Sequence, residues 1–204
     1  MIKPFVAQAY FFQADKSSRI GYDSTVRRTM ERMIRRSSNT ATNRIMSIVS
    51  RNEANRGASD VERVLKKNAP GIFRETRIVE KIPANGRTYR NLASAHDYSR
   101  FLYAMWHDRM PYADELRKIM SLPNRDRIYH GVKSIPRGVK VYDKTGSTAR
   151  LCGNMGIIEA PGRGSRRYPY TFVGIIERQS RAKNYGSWIT RRSNAIREVS
   201  NLVY

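Results

Sequence analysis

The stretch Val139-Lys140-Val141-Tyr142-Asp143-Lys144-Thr145-Gly146, read together with Met155-Gly156-Ile157-Ile158-Glu159 after it, decides the fold of this chain. Val139 to Asp143 alternates, Met155 to Glu159 is apolar, and a third, β-branched run spans Tyr170 to Glu177. Alternation at a period of two marks a strand with one buried face. The connections carry Gly and Ser, notably Gly162-Arg163-Gly164-Ser165, which suits an antiparallel meander of three strands. A final helix, about Ser187 to Leu202, is expected to bury Trp188, Ile189, Ile196 and Val199.

Upstream of these strands the pattern is helical. Pro4 to Ala14 is apolar almost all round, as in a buried helix, and proline is tolerated in its first turn. Ser24 reads as the N-cap of a helix carrying Val26, Met30, Met33 and Ile34. Beyond Ser37-Ser38-Asn39 a helix turns Ala41, Ile45, Ile48 and Val49 inward, and Ser59 caps a short helix bearing Val61, Val64 and Leu65. Gly71 to Leu92, with Pro83 and Asn85-Gly86, has no period and reads as a long ordered loop, a length usually kept for function. Ser94 caps a helix running through Trp106, and Pro111 opens another that ends near Leu122. Helices first and antiparallel strands last predict an α+β domain.

Composition narrows the function classes. A chain of 204 residues, 40% of them hydrophobic, suits one well-cored domain. No apolar run approaches the roughly 18–20 residues that cross a bilayer. The single cysteine, Cys152, excludes an internal disulfide, and His96, His107 and His130 lack metal-ligand spacing. A formal charge of +22 attracts polyanions. The basic residues are nevertheless scattered in pairs such as Arg35-Arg36 and Arg191-Arg192, without a nucleic-acid-binding motif, which argues against nucleic acid as the main partner. Lys3 and the apolar residues after it make a poor signal peptide and a better core helix; export to a periplasmic or extracellular site requires a signal further upstream.

Two motifs carry chemistry: Ser37-Ser38-Asn39, and Lys144-Thr145-Gly146 about a hundred residues later. With Lys3 upstream, their order resembles that of the serine β-lactamases and penicillin-binding proteins, whose signature is Ser-x-x-Lys, Ser-x-Asn and Lys-Thr-Gly. Ser37 through Asn43 is similar to the second motif of class A β-lactamases, including Ala41 and Asn43, except that Ser38 stands where those enzymes usually carry Asp. Val141 to Gly146 and Gly153 to Ile158 resemble their inner strand and the next. The resemblance runs from Lys3 to the terminal helix. It implies one β-lactamase/transpeptidase-like domain over 1–204, mainly helical over 1–138, with strands and a terminal helix over 139–204.

The resemblance also implies roles. Lys3 matches the motif lysine, one helical turn past the nucleophile, and is the candidate general base. The serine itself would stand one position before Met1, so the chain would begin just after it. The first strands of the family's sheet would then lie upstream, and the chain as written would form no acyl-enzyme. Ser37 would relay a proton to the leaving nitrogen, and Asn39 would hold the substrate's amide carbonyl. Lys144 would keep the site positive, Thr145 would bind the substrate carboxylate, Gly146 would admit the substrate backbone, and the Ser147 amide would be an oxyanion donor. Lys3, Ser37 and Lys144 would converge. Thr76-Arg77-Ile78 resembles the entry to the loop of the deacylating glutamate, but Glu80 follows too soon and the usual Glu-x-x-Leu-Asn is missing. No cofactor is implied.

Plainer readings stand beside these. Lys3 can be a surface lysine, Ser37 a helix cap, Lys144-Thr145-Gly146 an ordinary strand end, and Glu80 a solvated loop carboxylate. The expected partner is a β-lactam or a peptidoglycan stem peptide. The alternatives are a D-alanyl-D-alanine peptidase, or a non-catalytic basic protein that binds an anionic cell-wall polymer or nucleic acid.

Overall fold

The computed structural model describes residues 1–84 and 90–204; Asn85-Gly86 of the expected long loop lies outside the described residues. It holds two compact units, one of Ile2–Leu122 and one of Pro123–Tyr204 together with Met1.

The first unit is helical. Helix α1 (Lys3–Lys16) is buried from Lys3 to Gln13, so every side of it meets protein. Phe5 packs edge-on against Phe73 and Phe101, each at 4.9 Å between ring centroids, and Phe11 stacks on Tyr112 at 4.8 Å. Two glutamines interrupt this apolar helix because each has a backbone partner: the amides of Gln8 and Gln13 donate to Pro111 O and Val49 O.

Around it lie α2 (Ser24–Arg35), α3 (Asn39–Arg51), α4 (Ser59–Asn68), α5 (Ala95–Trp106) and α6 (Ala113–Met120). Three expected caps shift. Asp23, not Ser24, caps α2, its carboxylate accepting from the amides of Thr25 and Val26; an anion at this position also complements the helix dipole. Ser38, not Ser37, caps α3, accepting from Ala41 N at 3.2 Å. Ser59 caps nothing; the buried Asp60 beside it organises that end, accepting from Arg56 N and Ser50 Oγ.

The second unit is a three-stranded antiparallel sheet in the order β1-β2-β3, with β1 Lys140–Ser147, β2 Leu151–Pro161 and β3 Arg167–Glu177. The ladder pairs Lys144 with Met155, Thr145 with Asn154 and Gly146 with Gly153. Pairing with the buried β2 carries β1 beyond Asp143 through the polar Lys144-Thr145-Gly146-Ser147, where alternation had stopped. Helix α7 (Tyr185–Val203) covers the sheet over Ile128, Val132, Cys152, Ile158, Phe172 and Ile196.

Val199 is 50% exposed, contrary to expectation. The sheet-facing stripe of α7 is Ser193, Ile196 and Ser200, spaced three and four apart, and Val199 lies off it. The two serines are satisfied there: Ser200 Oγ donates to Ile128 O at 2.7 Å, and Ser193 Oγ accepts from Arg127 Nε at 2.8 Å.

Candidate active site

In the helical unit, Lys3 is no surface lysine. Lying at the start of α1, it is 7% exposed. Its Nζ donates to the backbone oxygen of Ser37 and, at 2.9 Å, to Asn39 Oδ1. Both partners are neutral acceptors, and two donated hydrogens are within the reach of a neutral amine, which keeps a lone pair. Ser37 has a φ of +52°, a left-handed backbone more usual for glycine. Such a conformation costs a non-glycine residue about 1–2 kcal/mol. It is held by Lys3 on the Ser37 carbonyl and by Ser38 N donating to Arg32 O at 3.1 Å. Strain fixed by surrounding contacts is typical of functional turns. Lys3, Ser37 and Asn39 are therefore brought together.

The described part of the Gly71–Leu92 loop contains no helix or strand element, only one bridge between Arg77 and Leu92. Side chains, most of them from elsewhere, replace a ladder. Both ends of the Asn43 amide engage Ile82, accepting from its N–H and donating to its C=O. Asp97, wholly buried at the start of α5, accepts from Glu75 N and Thr76 Oγ1. Glu62 accepts from Ile78 N, and Asn91 Oδ1 from the amides of Val79 and Glu80. Glu80 differs from the solvated carboxylate expected of it. Its side chain is 22% exposed and lies 3.8 Å from the Arg90 guanidinium, next to Asn91, whose amide donates to Glu80 O.

In the sheet unit, Lys144 on β1 is 3% exposed. Burial lowers its pKa from 10.5 to about 8, opposed by the adjacent Asp143 and assisted by Arg127. Its Nζ donates to Thr145 Oγ1 at 3.4 Å. Asp143 goes the other way: burial, with Asp126 nearby, raises it to about 6 although Asn154 and Asn124 each donate to it.

Arg127 is the residue that sequence reading missed. Buried at 6% exposure, it forms no ion pair with a carboxylate among the described residues; it donates to Ser193 Oγ, Gly153 O and Ser147 Oγ, while its backbone N–H donates to Asn154 Oδ1. A guanidinium is thus anchored to the end of the Lys144-Thr145-Gly146-Ser147 strand. The available signal was Asn154, a polar residue inside an apolar strand, which must have buried polar partners. Arg127 itself is hidden among 39 basic residues. At Gly146, an added Cβ would lie 2.6 Å from Met1 Cγ, so a side chain there must displace Met1. Among the described residues no three His, Cys, Asp or Glu side chains form a metal-binding group.

A model of the beta-lactamase enzyme family matches residues 12–204. The chain belongs to this family. The β-lactamase-like α+β fold expected from the motifs is the observed one, and the superfamily is one of serine hydrolases. Among solved structures, a PBP-A mutant described as an acyl-enzyme complex with penicillin G superposes with a TM-score of 0.71 at 21% identity, over 100% of this chain and 78% of that one. A β-lactamase from Streptosporangium roseum gives 0.66 at 17% identity, covering 98% and 82%. One from Burkholderia phymatum gives 0.68 at 13%, covering 99% and 80%. At such identities these structures establish the fold. No curated protein matched the chain.

Proposed function

We propose that this member of the beta-lactamase family serves acyl transfer from a β-lactam or a peptidoglycan stem peptide to a serine immediately before Met1. The observation that carries this is Lys3, buried and hydrogen-bonded to the Ser37–Asn39 turn. A lysine one helical turn past the nucleophile, in contact with the turn that supplies the proton relay, is in the right company for a general base.

Each residue then has one task. Lys3 accepts the serine proton as the acyl carbon is attacked, and Ser37 passes a proton to the departing nitrogen. Asn39 accepts from Lys3 through Oδ1, which leaves its Nδ2 hydrogens for a substrate carbonyl. Lys144, at about 8, is mostly cationic at neutral pH and favours the anionic transition state. Thr145 takes the substrate carboxylate, and Arg127 holds Ser147 so that the strand end presents its amide as an oxyanion donor. Strand β1 is at one edge of the β1-β2-β3 order, so alternate backbone groups along it fall outside the ladder and suit an extended ligand.

A second reading, a D-alanyl-D-alanine peptidase that deacylates slowly, is favoured by Glu80. Its carboxylate lies 3.8 Å from the Arg90 guanidinium, a contact that competes with service as a base. The test is covalent labelling by a fluorescent penicillin of protein carrying serine directly before Met1. Labelling that disappears in Lys3→Met and persists for many minutes supports acyl transfer with slow release. Absence of labelling in the folded, serine-bearing protein overturns the reading and leaves a non-catalytic binding protein.

A further inference from the structure

We infer that the sheet unit carries a separate anion site, at the end of the sheet where β1 turns into β2, for a ligand bearing adjacent phosphate groups. An open cavity of about 630 Å³ lies between the segment following β3 and the first turns of α7. Arg178, Arg181, Lys183, Arg191 and Arg192 line it together with Trp188, and no Asp or Glu does. Among the described residues, Arg178, Lys183, Arg191 and Arg192 have no carboxylate within ion-pair distance. Cations gathered in a concavity without counter-charges raise the local potential and select an anion of high charge density.

Three observations point to phosphate. The Nε of Arg192 is buried without an acceptor, a donor that an entering oxyanion would satisfy. Helix α7 starts at this cavity, with Asn184 as its cap and no acidic residue in its first turn, so its positive end adds to the side-chain charge. Guanidinium forks match the tetrahedral oxygens of phosphate in pairs, and several of them match adjacent phosphates better than one carboxylate. The lone aromatic is not available for base stacking. The guanidinium carbons of Arg178 and Arg192 lie over its ring at 5.4 and 5.3 Å, and its indole N–H donates to Thr148 O at 3.2 Å. Phosphates, rather than nucleobases, fit what remains. This inference does not depend on acyl transfer.

The test is titration of the full chain with inorganic tripolyphosphate, with a glycerol-phosphate oligomer and with a thymidine oligonucleotide of equal charge, followed by tryptophan fluorescence and calorimetry. Saturable binding of tripolyphosphate at one site per chain, weakening steeply with salt, is expected. The Arg178→Gln/Arg192→Gln pair should weaken it about tenfold or more, and Lys183→Gln, on an exposed loop, about threefold. The Arg163→Gln/Arg166→Gln pair removes equal charge from the exposed hairpin at the other end of β2 and should change affinity less than about twofold. Tighter binding of the glycerol-phosphate oligomer than of tripolyphosphate would support the site and assign it to a phosphodiester polymer. Tighter binding of the oligonucleotide than of either would overturn the phosphate assignment in favour of base recognition. Equal losses in the two double variants would reduce the site to diffuse attraction by the net charge.

Discussion

Replacing Asp143 by asparagine gives a quantitative check on the electrostatics beneath the Lys144 strand. Asp143 is 3% exposed and its carboxyl is raised from the ordinary 3.8 to about 6. A raised acid stabilises the fold fully below the unfolded value and loses that contribution as pH climbs through the folded one, because the native state holds its proton longer. The interval is worth roughly 3 kcal/mol, at about 1.4 kcal/mol per tenfold change in proton affinity. Asparagine keeps the shape but has no proton to lose. It also sets a donor against Asn124 or Asn154, each of which donates to Asp143, but that cost is the same at every pH. The measurement is therefore a difference of differences: urea unfolding of both proteins from pH 3.5 to 7.5, read at Trp188, which lies in the same compact unit. The parent should lose about 3 kcal/mol relative to Asp143→Asn over that range. A difference that stays flat within about 1 kcal/mol would show that burial does not dominate at Asp143 and would refute the reasoning.

Lys144 should show the opposite sign. With its folded value lowered to about 8, stability should rise from about pH 8 towards 10.5, and Lys144→Met should flatten that rise in the same unfolding series. In serine-bearing protein, penicillin labelling should slow above about pH 8 as Lys144 loses its charge, and Lys144→Met should lower the rate roughly 10²–10³-fold at pH 7. Asp97→Ala strips the acceptor from Thr76 Oγ1, Glu75 N and the Arg100 guanidinium; a loss of about 3 kcal/mol and faster tryptic cutting after Arg77 should follow, measured by urea unfolding and timed proteolysis. Lys3→Met should abolish labelling yet cost only about 1–3 kcal/mol, since the lost hydrogen bonds are offset by the removal of a buried polar group.

Much of this was legible in the sequence because its signals are local. The buried α1, the Ser94 cap and the three strands follow from spacing within a few residues, and the two motifs carry their own order along the chain. The cap errors at Ser24, Ser37 and Ser59 have one cause. In Asp23-Ser24, Ser37-Ser38 and Ser59-Asp60, adjacent polar residues compete for the same turn, and propensity cannot choose between neighbours. Backbone geometry chooses: Asp23 and Ser38 are extended, whereas Ser37 is left-handed. Arg127 and the exposure of Val199 were not legible because each is settled by packing across the sheet. The loop anchors were hidden for a similar reason; Asn43 meets Ile82 across 39 positions of sequence.

That loop has a consequence for how the chain can change. Its path is written mostly on residues that are not part of it: Asn43 on α3, Glu62 on α4 and Asp97 on α5. Those three address backbone groups of Ile82, Ile78 and Glu75, which every amino acid except proline at a donor position can supply. Much of the instruction for placing the segment is thus stored in the helices, and beyond its buried Phe73, Thr76, Ile78 and Ile82 and its own anchor Asn91, the segment's exposed side chains are left free to vary. Divergent sequences could be threaded along the same course, so chemistry at this rim can be rewritten without relearning the fold.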